Sequence, residues 1–276
     1  MFASLDTSLI LMLLAIGLAG GFLAGLLGIG GGMVLVPCLV LVLGRQGVAG
    51  DVAIKMAIAT AMATILFTSL SSVWAHHRRG AVRWEIVRGL APGIVGGGLL
   101  AGAGAFAVLK GQVLGLGFGL FVGYSAWRMF KGSTNPAGAR QGVHGWRGLG
   151  VVGSVIGFLS GLVGAGGGFL SVPYMTRCSV PIHQAVATSA ALGFPIALAS
   201  VIGYTASGWH LPPAAPGSWG YFYLPALTLI VLCSVCAAPW GARTAHRMNV
   251  VALKKVFAVL LGSLAAYMLY RSSVGF

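Results

Sequence analysis

The sequence predicts an all-α, polytopic membrane protein made of two inverted repeats, each a glycine-broken hairpin or re-entrant segment followed by three transmembrane helices. Three observations carry this. Of the 276 residues, 58% are hydrophobic and only 7% charged; a soluble domain carries about 25% charged residues, so most of this surface faces lipid. One glycine-rich motif is written twice, as GFLAGLLGIGGGMVLVP at 21–37 and GFLSGLVGAGGGFLSVP at 157–173, with 11 identities in 17 positions. Finally, corresponding loops of the two halves carry opposite charge bias.

A membrane helix needs ~20 mainly apolar residues, and the uncharged stretches 7–44, 56–75, 89–109, 111–127, 148–176, 184–209, 211–242 and 256–270 are the candidates. These runs lack the alternation of a β-barrel strand. The N-terminus, MFASLDTSLILMLLAIG, has no positive leader and reads as the start of the first membrane segment. Segment 7–44 is too long for one span, and its glycines cut it into a full-length and a short piece, a hairpin that leaves on the side it entered. Segments 52–75, 86–109 and 112–130 add three crossings. Residues 131–146 (KGSTNPAGARQGVHGW) form a polar linker. Segment 148–178 repeats the hairpin from the opposite face. The expected organisation is a first membrane repeat at 1–130, a cytoplasmic linker at 131–147 and a second membrane repeat at 148–276.

Charge gives the orientation. Loop 76–88 holds Arg78, Arg79, Arg83 and Arg88, while its counterpart 209–218 holds no Lys or Arg. The next loop of the first half holds only Lys110, and its counterpart 243–255 holds Arg243, Arg247, Lys254 and Lys255. Basic loops lie in the cytoplasm, so the halves are expected to be inverted. The net charge of +14 then reflects cytoplasmic loops meeting anionic lipid. With no basic stripe interleaved with aromatics, no nucleic-acid partner is expected; the partners are the bilayer and a small anionic solute.

Three glycines in a row stop a helix, and freed backbone groups survive at membrane depth only where they line a cavity or are buried in protein. The half-helix that restarts there offers N–H groups at the positive end of its dipole, an anion site made without a charged side chain. Gly30, Gly31, Gly32 and Pro37, with Gly166, Gly167, Gly168 and Pro173, are therefore candidate substrate-binding residues. After each break the match continues at a different offset: Ile58-Ala59-Thr60-Ala61 falls against Val186-Ala187-Thr188-Ser189, and Lys55 against His183. Thr60, Thr188 and Ser189 are the candidate hydroxyl donors. Thr64, Thr68, Ser69, Ser71, Ser72 and Ser200 read as structural, bonding back to their own helix. Lys55, Arg177 and His183 are candidate entrance residues; Lys55 and His183 fit an interface position, with the side chain reaching for water, equally well.

Only Asp6, Asp51 and Glu85 are acidic, and none lies well inside an apolar run, which disfavours a cation substrate. No Ser/His/Asp set can be assembled, His76-His77 has no partner set for a metal, and Cys233-Ser-Val-Cys236 has no redox-fold context. Gly28-Ile-Gly30-Gly31-Gly32 follows no strand, as a dinucleotide fingerprint must. Neither enzyme nor cofactor is expected.

The two motifs, each followed by a helix bearing Ala59-Thr60 or Ala187-Thr188, resemble the sulfite exporter family TauE/SafE over nearly the whole chain. The resemblance implies a carrier in the bacterial inner membrane exporting sulfite or related sulfur-containing anions such as sulfoacetate, with site residues at Gly30–Gly32, Gly166–Gly168, Pro37, Pro173, Thr60, Thr188 and Ser189. The expected function is thus a secondary transporter of small sulfur-containing oxyanions working by alternating access. An anion channel, a carrier of another small organic anion, and a membrane scaffold with glycines only for packing are the rivals.

Overall fold

The structure, a computed structural model, describes residues 6–28, 30–131, 145–245 and 250–274, without the side chains at 128, 129, 147, 250–257, 260 and 274. Most of the expected linker, together with Arg247, therefore lies outside the described residues. The fold is helical: α1 Thr7–Leu27, α2 Gly32–Arg45, α3 Gly50–His77, α4 Trp84–Val108, α5 Gly111–Lys131, α6 Trp146–Val163, α7 Gly168–Arg177, α8 Ile182–Gly208, α9 Leu224–Ala245 and α10 Val250–Val274. Helix α4 turns π-helical over Leu100–Ala105. The described segments include one short hairpin, β1 Ser218–Trp219 with β2 Phe222–Tyr223. Helices α1, α3, α4, α8 and α9 are long and apolar enough to cross a membrane.

Two boundaries differ from the expectation. The apolar stretch 211–242 is no single span: residues up to Tyr223 form the loop and hairpin, with Pro212, Pro213 and Pro216 blocking a helix, and α9 starts only at Leu224. The basic loop is shorter than 76–88, because α3 continues to His77 and α4 begins at Trp84.

Small residues set the packing. Gly17, Gly21 and Gly25 of α1 lie against Ile230, Ser234 and Ala238 of α9, so closely that a Cβ on Gly17 would stand 3.0 Å from Ile230 Cα. Gly153 and Gly157 of α6 lie in the same way on Leu90 and Ile94 of α4, and Gly93 and Gly97 answer from α4 on Gly150 and Ser154. Four-residue glycine spacing lets membrane helices approach this closely. Helices α3 and α8 pack on each other in the centre, and α5 packs on α10.

One face collects arginines. Arg79 at the end of α3 donates to Ala242 O of α9 at 3.3 Å, and Arg83 before α4 donates to Gln184 of α8 at 3.3 Å. At the other face Lys55 at the start of α3 reaches Ala107 O at the end of α4 (3.2 Å), and Asp51 accepts from Gln112 N of α5 (3.0 Å). Helix α8 thus begins beside the end of α3, and its last residue, Gly208, packs on Tyr221, whose ring lies 5.8 Å from the Lys55 ammonium. All seven tryptophans are exposed. Six of them (Trp74, Trp84, Trp127, Trp146, Trp209 and Trp240) lie at or within about a turn and a half of a helix end, as side chains at a membrane–water boundary do.

Candidate functional site

Each copy of the repeated motif folds into the same backbone break. Helix α1 ends at Leu27, and Gly28 caps it at φ 65° with its N–H returned to Ala24 O; α6 ends at Val163, and Gly164 caps it at φ 73° with its N–H on Ser160 O. Helices α2 and α7 restart behind Gly31 (φ 73°) and Gly167 (φ 74°), with no side-chain cap at either start. Glycine is the residue that takes this left-handed conformation without strain. Pro37 and Pro173 each stand sixth in the restarted helix. Each withholds the N–H that the carbonyl four residues earlier, Met33 or Phe169, would accept.

The two breaks meet in the interior. A Cβ on Gly30 would lie 3.1 Å from Gly166 Cα, and one on Gly32 would run into the carbonyl of Gly164. Beside this contact is a cavity of ≈ 10 Å³, the room of about one water molecule. Its wall is Ala24, Gly28 and Gly30 of the first break, Thr68, Ser69 and Ser72 of α3, and Ala190 and Gly193 of α8. Thr68 and Ser69 donate to their own helix, to Thr64 O (3.1 Å) and Leu66 O (3.2 Å). The Ser72 hydroxyl is buried and has no protein partner.

The hydroxyls singled out by the repeat take equivalent places and equivalent bonds. Thr60 Oγ1 accepts from Tyr223 N, just before α9, and Thr188 Oγ1 accepts from Arg83 N, just before α4, each at 3.0 Å. Each joins one copy of the post-break helix to the start of a neighbouring span. Burial pushes the Tyr223 phenol above its ordinary range, so it stays protonated and its hydroxyl donates to Gln46 Oε1 at 3.3 Å. Ser189 joins the breaks themselves: its Oγ donates to Gly28 O at 2.8 Å and accepts from Ser171 Oγ at 2.9 Å. Lys55 is tied to Ala107 O at the face away from the arginines. Arg177 and His183 are exposed on the arginine-bearing side, beyond the ends of the second break.

Three cavity residues, Thr68, Ser69 and Ser72, are among those that sequence reasoning assigned to structure. A signal for them exists in Thr60, Thr64, Thr68, Ser72 and His76, five polar residues four apart in an apolar helix, all buried. That spacing keeps them on one slowly turning stripe, a pattern that back-bonding hydroxyls scattered along a helix need not show.

Apolar helices with exposed tryptophans at their ends and two interrupted segments meeting inside define a multi-pass membrane protein of transporter type. The family model for the sulfite exporter TauE/SafE matches residues 13–268, and the chain belongs to that family. It is 34% identical over 252 residues to a "probable membrane transporter protein" of Haemophilus influenzae, covering 91% of this chain and 95% of that one. It is 31% identical to the probable membrane transporter protein YunE of Bacillus subtilis (75% and 84% covered) and 25% identical to a probable membrane transporter protein of Methanocaldococcus jannaschii (94% of each). No solved structure matches the chain.

Proposed function

We propose that the chain is a secondary transporter that exports small sulfur-containing oxyanions, sulfite or organosulfonates, across a bacterial inner membrane, by alternating access of one inverted repeat (1–130) against the other (148–276). The observation that carries this reading is the contact of Gly30 with Gly166: two uncapped helix starts meet in the buried centre beside hydroxyl groups. Such ends favour negative charge, and the three carboxylates all lie exposed, away from this point.

Inversion is supported by the packing. Helix α3 ends at the face where α8 begins, and α4 starts where α9 ends, so corresponding helices run in opposite senses. Among the described residues the face at the end of α3 gathers Arg78, Arg79, Arg83, Arg88, Arg177 and Arg243, which supports reading it as the cytoplasmic side. An inside-negative potential then drives an anion outward, by about 2.3 kcal/mol per charge for each 100 mV. A cavity the size of one water does not admit an oxyanion with three oxygens. Binding therefore requires the two breaks to part, which is what a carrier does and an open pore does not.

The test is counterflow. Proteoliposomes preloaded with unlabelled sulfite, sulfoacetate, thiosulfate, sulfate or taurine are offered the labelled compound. A carrier accelerates uptake when its substrate is inside. Current without such stimulation identifies a channel, and no flux for any sulfur anion removes the substrate assignment.

A further inference from the structure

We infer that the cavity beside the first break is a site for a small alkali-metal cation, sodium, which binds together with the transported anion; this rests on the transport reading above. The cavity has the room of about one water molecule, which a bare sodium ion fits and an oxyanion does not. Its place on the break decides the sign of the charge. Among the described residues the first break contributes to the wall Ala24 from the last turn of α1, its cap Gly28, and Gly30, while α2 contributes none. The cavity thus lies at the carbonyl end of α1, the negative end of that helix's dipole, which favours a cation. The anion-favouring end, the start of α2 at Gly32, follows Gly30 in the chain. Interrupted membrane helices use their two kinds of end in this way, the starts for anionic groups and the carbonyl ends for sodium.

The side chains agree. Helix α3 supplies three hydroxyls, Thr68, Ser69 and Ser72, each 2% exposed. A hydroxyl has one hydrogen and two lone pairs. Thr68 spends its hydrogen on Thr64 O, and Ser69 spends its own on Leu66 O. Toward any further group both can only accept, so they suit a cation and offer nothing to an oxyanion. Ser72 Oγ is buried without a protein partner, a cost that an occupant of the cavity removes. Ala24 O receives the Gly28 N–H and Gly28 O the Ser189 hydroxyl, and each carbonyl has a second lone pair. An all-oxygen set is what hard cations take. No carboxylate balances the ion, because Asp6, Asp51 and Glu85 are exposed. An ion buried alone is costly, so its counter-charge is the anion held at the breaks, and each raises the affinity for the other. A dianion travelling with one sodium ion keeps one net negative charge, so an inside-negative potential still draws it outward, against the sodium gradient.

The second half is a built-in control. At the offset that matches Thr60 with Thr188, the residues Thr68, Ser69 and Ser72 match Ile196, Ala197 and Ser200. Ile196 and Ala197 are fully buried and apolar, so Ser200 alone keeps a side-chain oxygen. One cation, not two, accompanies each cycle.

The experiment uses the full chain in proteoliposomes with the same salt on both sides: sodium, potassium or N-methyl-D-glucamine at one ionic strength. Counterflow is measured with whichever panel anion shows it. In sodium the half-saturating anion concentration is expected to be about tenfold lower than in either other salt, a coupling of the size usual between linked sites. In detergent with the anion present, sodium raises the melting midpoint and potassium does not. The double variant Ser72→Ala, Thr68→Val keeps the shape of the wall and loses two of its oxygens; it is expected to show a melting transition and to lose both sodium responses. Ser200→Ala keeps them. Counterflow indifferent to sodium in the wild type leaves water as the occupant of the cavity and overturns the inference. So does a sodium response that survives in the double variant or is lost equally in Ser200→Ala. Absence of counterflow for every panel anion in every salt overturns instead the transport reading on which it rests.

Discussion

The two breaks share a backbone and differ in chemistry. Both have a left-handed glycine closing the incoming helix, a left-handed glycine at the restart and a proline at the sixth position. Around the first, Thr68, Ala190 and Gly193 leave a cavity. At the equivalent positions around the second stand Ile196, Met62 and Ile65, all fully buried, and the space is filled. Ile196 Cδ1 lies where a Cβ on Gly167 would go. Conversely, the second half supplies Ser171 and Ser189, whose chain of hydrogen bonds ends on Gly28 O of the first break, while their equivalents in the first half, Leu35 and Ala61, are apolar. Duplication supplied the peptide scaffold twice; side chains left a small cavity beside one copy and filled the space beside the other.

The largest expected effect attacks what the breaks share. Gly31→Ala and Gly167→Ala each force a Cβ into the left-handed region, which costs about 1–2 kcal/mol. Each also drives it against a neighbour, Gly20 O at 2.7 Å for Gly31 and Ile196 for Gly167. Either variant is expected to lose most transport in the counterflow assay, and the pair all of it. Full transport by the double variant would reduce both motifs to packing devices, as the scaffold reading holds.

A sharper cut exchanges side chains between the copies. Thr68→Ile gives the first break the residue of the second and fills the cavity. It is expected to lower transport about tenfold or more, corresponding to roughly 1.4 kcal/mol at the rate-limiting step, while detergent-solubilised protein keeps its elution profile. Unchanged transport in Thr68→Ile would place the anion elsewhere.

Much of this arrangement was legible in the sequence because glycine, proline and arginine act through backbone and charge, which a one-dimensional pattern records. The repeat, the two breaks and the matching of Thr60 with Thr188 follow from such patterns. The cavity does not, because it depends on whether position 68 or its equivalent 196 is the smaller and more polar, and on α3 packing against α8, a contact between residues more than a hundred positions apart. The α9 boundary was missed for a related reason: 211–223 is as apolar as a span, yet its prolines and the hairpin at Ser218–Tyr223 keep it out of a helix. The stripe of polar residues ending at His76 was visible at four-residue spacing, but the end of α3 at His77 was needed to place that histidine inside a helix.

A smaller effect is expected where the second break differs from the first. Ser189→Ala copies Ala61, leaving Gly28 O and Ser171 Oγ without their shared partner. A buried group so orphaned costs about 1–3 kcal/mol, which for a chain of this size lowers the melting midpoint by roughly 2–4 °C per kcal/mol. A thermal-shift measurement in detergent reads this directly. A melting midpoint that holds while transport falls would instead move Ser189 from the joint between the breaks to the anion.

The smallest effects compare the two threonines that do equivalent work. Thr60→Val and Thr188→Val each remove the acceptor for one backbone N–H, of Tyr223 and of Arg83, at about 1 kcal/mol apiece. Thr→Ser at either position keeps the acceptor and restores stability. If both hydroxyls serve only as joints, the two valine variants shift the melting midpoint by similar amounts and leave anion affinity alone. An affinity loss confined to Thr60→Val would extend the site down the stripe from Ser72 and Thr68 to Thr60, making the asymmetry between the copies run the length of α3. An equal loss in both would return the site to the axis between the breaks, with Thr60 and Thr188 facing one anion from opposite sides.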